Sequence, residues 1–142
     1  MQPFAINYSL PIYIISLKHI EQKKFSKVIQ LDAHGIDLDV TSLTNLKKLK
    51  ASLNYQTGLC IGQSDINGLD LVELDLTNNK LVSDISFMTN LTKLSIGGIN
   101  AIDQNGIRPL NLFELDISDN NKITDISFMT DLKKLTIYAN TD

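Results

Sequence analysis

Leucine and isoleucine recur along this chain at fixed spacings, with polar residues between them. The clearest case begins at Leu71, where apolar residues hold the first, fourth, sixth and eleventh places of L-x-x-L-x-L-x-x-N-x-L and Asn79 holds the ninth. In the x-L-x-L-x portion, a period of two puts both leucines on one face of a short strand. The pattern therefore predicts one strand per unit and a turn at the asparagine.

The spacing occurs six times in all, in units whose first residues are 28, 46, 71, 91, 112 and 132. Residues 69–98 and 110–139 are identical at sixteen of thirty positions without a gap, which identifies an internal duplication. Such units cannot bury a core alone, so stacking must create it. We predict a single solenoid domain over 28–142, with about six units, an α/β repeat architecture and right-handed connections. Its short-stranded parallel sheet would be concave, and short helical or extended segments would form the convex side.

Two regions depart from this spacing. The longest gap lies between the second and third units, and its surplus within 55–70 contains three glycines, which predicts a loop bulging from the stack. Residue Ile36 stands where a ninth-place asparagine is expected, and Ile99 before Asn100 indicates a one-residue slip. We expect distortion in the first and fourth units.

Asp84 and its copy Asp125 each follow a hydroxyl residue. They suit the start of a helical turn, because a short carboxylate can accept free backbone amide hydrogens there. Since both recur in step with the repeat, we interpret them as structural rather than catalytic. The apolar residues that follow are expected to pack inward or at the back of the solenoid: Phe87, Met88, Leu91 and Phe128.

Both ends of the stack need covering. Residues 1–27 are predicted to form an N-terminal cap, with a capping helix over 9–27 that Ser9 can cap and Pro11 can begin. The Leu10-Pro11 pair also suggests an F-box-like start, although only residues 16–27 would then precede the first repeat. At the other end, the strand around Ile137 is predicted to be an open edge. Truncation of a longer array, blunting by nearby lysines and docking of a partner would each account for it.

Residues 79–94 read NKLVSDISFMTNLTKL, and 123–129 repeat the core of this phrase as ITDISFM. The phrase resembles the N-x-I-x-D-I-x-x-L-x-x-L-x-x-L pattern of leucine-rich-repeat proteins, within their SDS22-like and internalin-like subclass. The resemblance covers about residues 28–140. It implies a leucine-rich-repeat solenoid that binds proteins, usually through the concave sheet.

Composition narrows the possible functions. The net charge of -3, with acids and bases interspersed, disfavours nucleic acid and acidic membranes as partners. Cys60 is the only cysteine, so neither an intrachain disulfide nor a zinc cluster is expected, and a reducing compartment fits best. The apolar stretch 10–17 is too short to span a bilayer and lacks a basic segment before it. We therefore expect a cytoplasmic protein.

No set of residues with a recognisable chemistry converges in the repeat. His19, His34 and Cys60 lie far apart in its register, and no nucleophile, phosphate-binding or zinc-protease motif occurs. We predict a protein that is not an enzyme and that holds no cofactor and no metal.

The exposed strand positions carry the predicted site. The third places alternate in charge once past the first unit, and the fifth places are mostly acidic. With strands about 4.8 Å apart, each third-place acid lies between two lysines. This pattern is consistent with cross-strand pairing or with a surface complementary to a charged protein. Two aromatics beside these columns are candidate anchors. The predicted protein-binding residues are Lys48, Glu73, Asp75, Lys93, Phe113, Glu114, Asp116, Lys134 and Tyr138.

The predicted function is protein–protein interaction: the concave sheet binds an unidentified protein partner, without nucleic acid or membrane. Three alternatives stay open: a substrate-recruiting adaptor with an F-box-like N-terminus, an internalin-like surface adhesin, and a decayed repeat protein without a partner. The pattern indicates no oligomeric state.

Overall fold

The computed structural model describes residues 12–13, 29–33, 40–41, 43–56 and 58–139. All strands in these ranges join one sheet in chain order, each parallel to its neighbours. A chain that adds strands in order and in one direction is a parallel-strand solenoid. Its elements are β1 (Ile12–Tyr13), β2 (Gln30–Asp32), β3 (Lys48–Lys50), α1 (Gln63–Ile66), β4 (Glu73–Asp75), β5 (Lys93–Ser95), α2 (Gln104–Ile107), β6 (Glu114–Asp116) and β7 (Lys134–Thr136).

The central leucines of the strands set the register of the sheet. From β2 to β7 each fourth-place leucine pairs with the next, so the unit boundaries predicted from apolar spacing coincide with the strand register. Because alternate strand residues face opposite sides, these leucines all point to the core and their flanking residues to solvent. Those of β2 to β6 are at most 3% exposed. The aligned leucines are Leu31, Leu49, Leu74, Leu94, Leu115 and Leu135.

The core lies between this sheet and the segments that return to it. Sixth-place residues such as Leu76 and Ile96 are fully buried, and Ile85, from the returning segment, is buried against them. Met88 and Leu91 are each 1% exposed, which confirms that they pack inward. Removing such side chains from water stabilises the stack by about 25 cal/mol per Å².

A buried asparagine closes the turn after the strand. Asn79 is fully buried, and its amide donates to the carbonyls of Ala51 at 3.3 Å and Ile61 at 3.0 Å. Its oxygen accepts the backbone amides of Leu81 at 2.9 Å and Val82 at 3.0 Å. The side chain therefore pairs backbone groups that neither sheet nor helix pairs.

The one-residue slip is confirmed. Asn100 is buried and donates to the Leu76 carbonyl at 2.6 Å, so it takes the position that Asn79 takes one unit earlier. Eighth-place residues adopt left-handed backbone, with φ of 59° at Asn78 and 69° at Gly98. A Cβ on Gly98 would overlap the Asn78 side-chain oxygen, so glycine is required there. Ile99 is the inserted residue, and its side chain is 66% exposed.

The prediction of a loop within 55–70 is correct only for the first part of this segment. Tyr55 and Leu59 are exposed, whereas Ile61, Ile66 and Leu69 are buried and α1 lies among them. The prediction was wrong for this second part, because the glycines there shape a helical turn that returns to the core. Residues 61–69 thus belong to the stack.

The two aspartates of the duplicated phrase form turns but no helix. The Asp84 carboxylate accepts the amide of Ser86 at 2.9 Å, and Asp125 accepts that of Ser127 at 2.9 Å. They accept amide hydrogens as predicted, and one turn begins after each, in which the amides of Met88 and Met129 donate to the carbonyls of Ile85 and Ile126, each at 3.0 Å. No helix follows either turn. Helices α1 and α2 occur instead in the segments that precede β4 and β6.

The capping helix predicted over 9–27 falls almost entirely outside the described residues. Ile12 and Tyr13 are described, and they form β1, which pairs with β2, so the structure differs from the prediction at these two positions. Ile36 also lies outside the described ranges. At the other end β7 forms the edge of the described sheet, where Leu135 is 40% exposed.

Both helices of the described ranges have four residues. Neither is long and apolar enough to cross a membrane.

Candidate functional site

The outer face of the sheet forms a shallow, open groove that runs across the strands, and we call it the sheet groove. It is built by the third and fifth residues of each unit, because these flank the inward-facing leucine. Six strands, β2 to β7, contribute to it in register. The polar residues lining it are Gln30, Lys48, Lys50, Glu73, Asp75, Lys93, Ser95, Glu114, Asp116, Lys134 and Thr136.

The third-place residues of β3 to β7 form a continuous chain of ion pairs, which we call the third-place row. Glu73 lies 2.9 Å from the ammonium of Lys48 and 3.9 Å from that of Lys93. Glu114 lies 3.2 Å from Lys93 and 3.8 Å from Lys134. The cross-strand pairs expected from the alternating charges therefore form. Each such exposed pair contributes about a few tenths of a kcal/mol.

Lys93 lies at the centre of this row and has an acid on each side. A hydrogen bond to Glu114 and the charges of Glu114 and Glu73 raise its pKa above the ordinary lysine value. The protonated ammonium is thus the form that the row stabilises, and the charges of the row largely compensate one another.

The fifth-place residues of β3 to β7 form a second row with a different electrostatic character. Asp75 and Asp116 are half-buried, and one oxygen of each accepts a backbone amide of its own turn, from Thr77 and Ser118, each at 2.9 Å. Among the described residues, no ion pair reaches either carboxylate. Ser95 lies between them, and its hydroxyl contacts that of Thr77 at 2.9 Å. The fifth-place row, whose one cation is Lys50 of β3, therefore keeps its acidic charge from β4 to β7.

The two aromatic candidates lie beside the groove and do not line it. Phe113, at a second place, is 38% exposed, and the ammonium of Lys133 lies 4.9 Å from its ring centroid. Tyr138, at a seventh place, is 72% exposed. The predicted set of nine thus divides into seven groove residues and two flanking aromatics. Phe87 is 41% exposed, while Phe128 packs partly against the core.

The structure adds groove residues that the predicted set omitted. Ser95 and Thr136 are neutral, and Lys50 lies next to Asp75 in register. All three are at fifth places of the repeat, and this position alone could have added them to the predicted set of binding residues.

Residues with other chemistry do not gather in the described part of the chain. There, no three His, Cys, Asp or Glu side chains are arranged to hold a metal ion. Cys60 is half-buried near the end of the 55–60 loop, and His19 and His34 lie outside the described residues.

The chain matches no protein-family model, and no curated protein is similar enough to count as a relative. The class of protein is defined by the fold and the surface themselves: a parallel-strand repeat solenoid with a charged groove across its sheet.

Proposed function

We propose that this chain is a leucine-rich-repeat protein of the SDS22-like and internalin-like subclass and that it binds a protein partner through the sheet groove. The observation that carries the proposal is the groove itself. Side chains from six strands line it at a regular spacing of about 4.8 Å. An exposed parallel sheet face that holds both charges offers a partner many contacts in a fixed pattern, which favours specificity.

Two features support assignment to the leucine-rich-repeat class. Fourth-place leucines stack in register across the described units, and the ninth-place asparagines Asn79 and Asn120 are buried. Both follow from the L-x-x-L-x-L-x-x-N spacing. They support the class and leave the partner to experiment.

The third-place row would contact the partner along one side of the groove, through Lys48, Glu73, Lys93, Glu114 and Lys134. Asp75 and Asp116 would contact it along the other, with Phe113 and Tyr138 as flanking anchors. The adaptor, adhesin and partner-less alternatives stay predictions, as does a cytoplasmic location.

Replacing Ser95 by arginine tests this proposal, because Ser95 lies in the middle of the groove and forms no ion pair that the change would remove. The arginine would fill the groove and pair with the acids beside it. We expect Ser95→Arg to abolish capture of proteins that wild type retains from a cell lysate, with the thermal midpoint within a few degrees of wild type.

The matched control is Ser83→Arg, the same substitution at an exposed position outside the groove. It should retain the wild-type set of captured proteins. Retention of the same proteins by wild type and both variants would exclude the groove as the binding surface.

A further inference from the structure

The two rows of the groove differ in how much of their charge is already in ion pairs. The third-place row is compensated internally by four ion pairs. In the fifth-place row, Asp75 and Asp116 form no ion pair with any described residue, and Ser95 and Thr136 beside them are neutral. Over β4 to β7 the third-place row has two acids and two lysines, whereas the fifth-place row has two acids and no lysine, so the charge left for a partner there is negative.

The register determines how far apart these two charges are. Asp75 is in β4 and Asp116 in β6, with Ser95 of β5 in register between them. Neighbouring strands are about 4.8 Å apart, so the two carboxylates are about 9.6 Å apart along the groove. Each keeps one oxygen on a backbone amide of its own turn, which holds the carboxylate in place.

We infer that the groove accepts a basic peptide segment whose two cationic side chains are about 9.6 Å apart on one face, one for Asp75 and one for Asp116. This inference rests on the proposed function and names the chemistry of its partner. A polyproline-II segment meets the spacing in the fewest residues, because positions i and i+3 share a face and are about 9.3 Å apart. Backbone groups of such a segment stay solvated, which suits a shallow, open groove.

Charge complementarity selects this occupant over an acidic one. An acidic segment over β4 to β6 would face two carboxylates that form no ion pair with a described residue. The groove lysine that forms no such pair, Lys50, lies in β3 at the end of the row. A basic segment would meet unpaired carboxylates without breaking a pair of the third-place row. Lys50, the register neighbour of Asp75, makes Asp116 the stronger of the two contacts.

The test uses three fluorescent proline-rich peptides that differ only in the type or the placement of two charged residues. The first carries arginines at i and i+3, the second carries glutamates at the same positions, and the third carries two adjacent arginines. Fluorescence anisotropy at about 0.05 M salt gives each Kd, since exposed ion pairs are screened at higher salt. We expect the first peptide to bind at least about fivefold tighter than either of the others.

The matched variants are two double substitutions with equal charge change and equal sequence spacing. Asp75→Asn with Asp116→Asn removes the groove charges, while an asparagine oxygen can still accept the turn amide. Asp84→Asn with Asp125→Asn does the same outside the groove, where both aspartates also accept a turn amide. The first pair should weaken arginine-peptide binding about fivefold to tenfold, and the second should leave it within about twofold.

Equal weakening by both pairs, or equal binding of the glutamate peptide, would overturn the inference. So would equal binding of the two arginine peptides, because the spacing would then carry no recognition. If Ser95→Arg abolishes protein capture but the arginine peptide does not bind, the groove is a protein-binding surface and the inference of a basic partner is wrong. If neither experiment shows a difference, both the proposed function and the inference of a basic partner are wrong.

Discussion

A single buried side chain, Asn79, connects three stretches of backbone in this protein. Its amide and oxygen form four hydrogen bonds, to one carbonyl in each of two preceding segments and to two amides of its own turn. Unpaired groups of this kind each cost about 1–3 kcal/mol when buried. The asparagine is therefore more than a turn-former, since it joins one unit to the unit before it.

Asn79→Ala tests this role at the residue scale. The change leaves several buried backbone groups without partners, and we expect a loss of about 3–5 kcal/mol in the free energy of unfolding. Urea denaturation monitored by circular dichroism measures it. The exposed Asn121→Ala serves as control and should change stability by less than about 0.5 kcal/mol. Similar losses in both variants would refute the role assigned to Asn79.

At the scale of elements, two glutamines connect the segments that return between strands. The Gln63 side chain, from α1, accepts the amides of Ser83 at 3.0 Å and Asp84 at 2.9 Å and donates to the Asp84 carbonyl at 2.8 Å. Gln104, from α2, forms the same three bonds with Thr124 and Asp125. Each short helix thus pairs the backbone of the following turn, which explains why helices of four residues persist.

Gln63→Ala and Gln104→Ala should each lower the free energy of unfolding by about 1–2 kcal/mol, because each removes three hydrogen bonds to backbone. Their bonds share no partner, so the double variant should show the sum of the two losses within about 0.5 kcal/mol. Urea titrations of the three variants measure this. Gln56→Ala, in the exposed loop, is the control. If either single variant had the same free energy of unfolding as that control, the hydrogen bonds of that glutamine would contribute nothing to stability.

At the scale of the whole molecule, acidic side chains that accept hydrogen bonds make stability depend on pH. Hydrogen bonds from Lys47 and then Asn90 lower the pKa of Asp70, and hydrogen bonds from Ser86 lower the pKa of Asp84. Hydrogen bonds from Ser127 lower the pKa of Asp125 in the same way. A carboxyl whose pKa is lowered on folding stabilises the folded state above its unfolded pKa of 3.8. That contribution is lost as the pH falls through the lower, folded-state pKa.

We therefore expect the urea midpoint to stay nearly constant between about pH 5 and pH 7 and to fall below about pH 3.8. The variant with Asp84→Asn and Asp125→Asn keeps oxygen acceptors at both turns but cannot titrate there. Its decline between about pH 5 and pH 3 should be shallower than that of wild type. An unchanged decline would mean that these two carboxyls do not contribute to the acid sensitivity.

The strand positions, their register and the third-place charge pairs could be predicted from sequence because each depends on a short, repeated spacing. Leu74, Leu94 and Leu115 align in the structure as they align in the repeat. The inward packing of Met88 follows from the same spacing. The part within 55–70 was misread because glycines indicate a turn but do not indicate whether it faces solvent or the core.

What the sequence by itself determined is therefore the periodic part of this protein: which residues face inward, which strands are neighbours and which charges meet across strands. Local alternation and a duplicated phrase suffice for these. Only the tertiary structure decided which charges remain uncompensated, because that depends on distances between atoms of different units. Glu73 and Asp75 are two residues apart and both acidic, yet only Glu73 meets lysine ammonium groups. That difference is the basis for the proposal that a partner would match the fifth-place row.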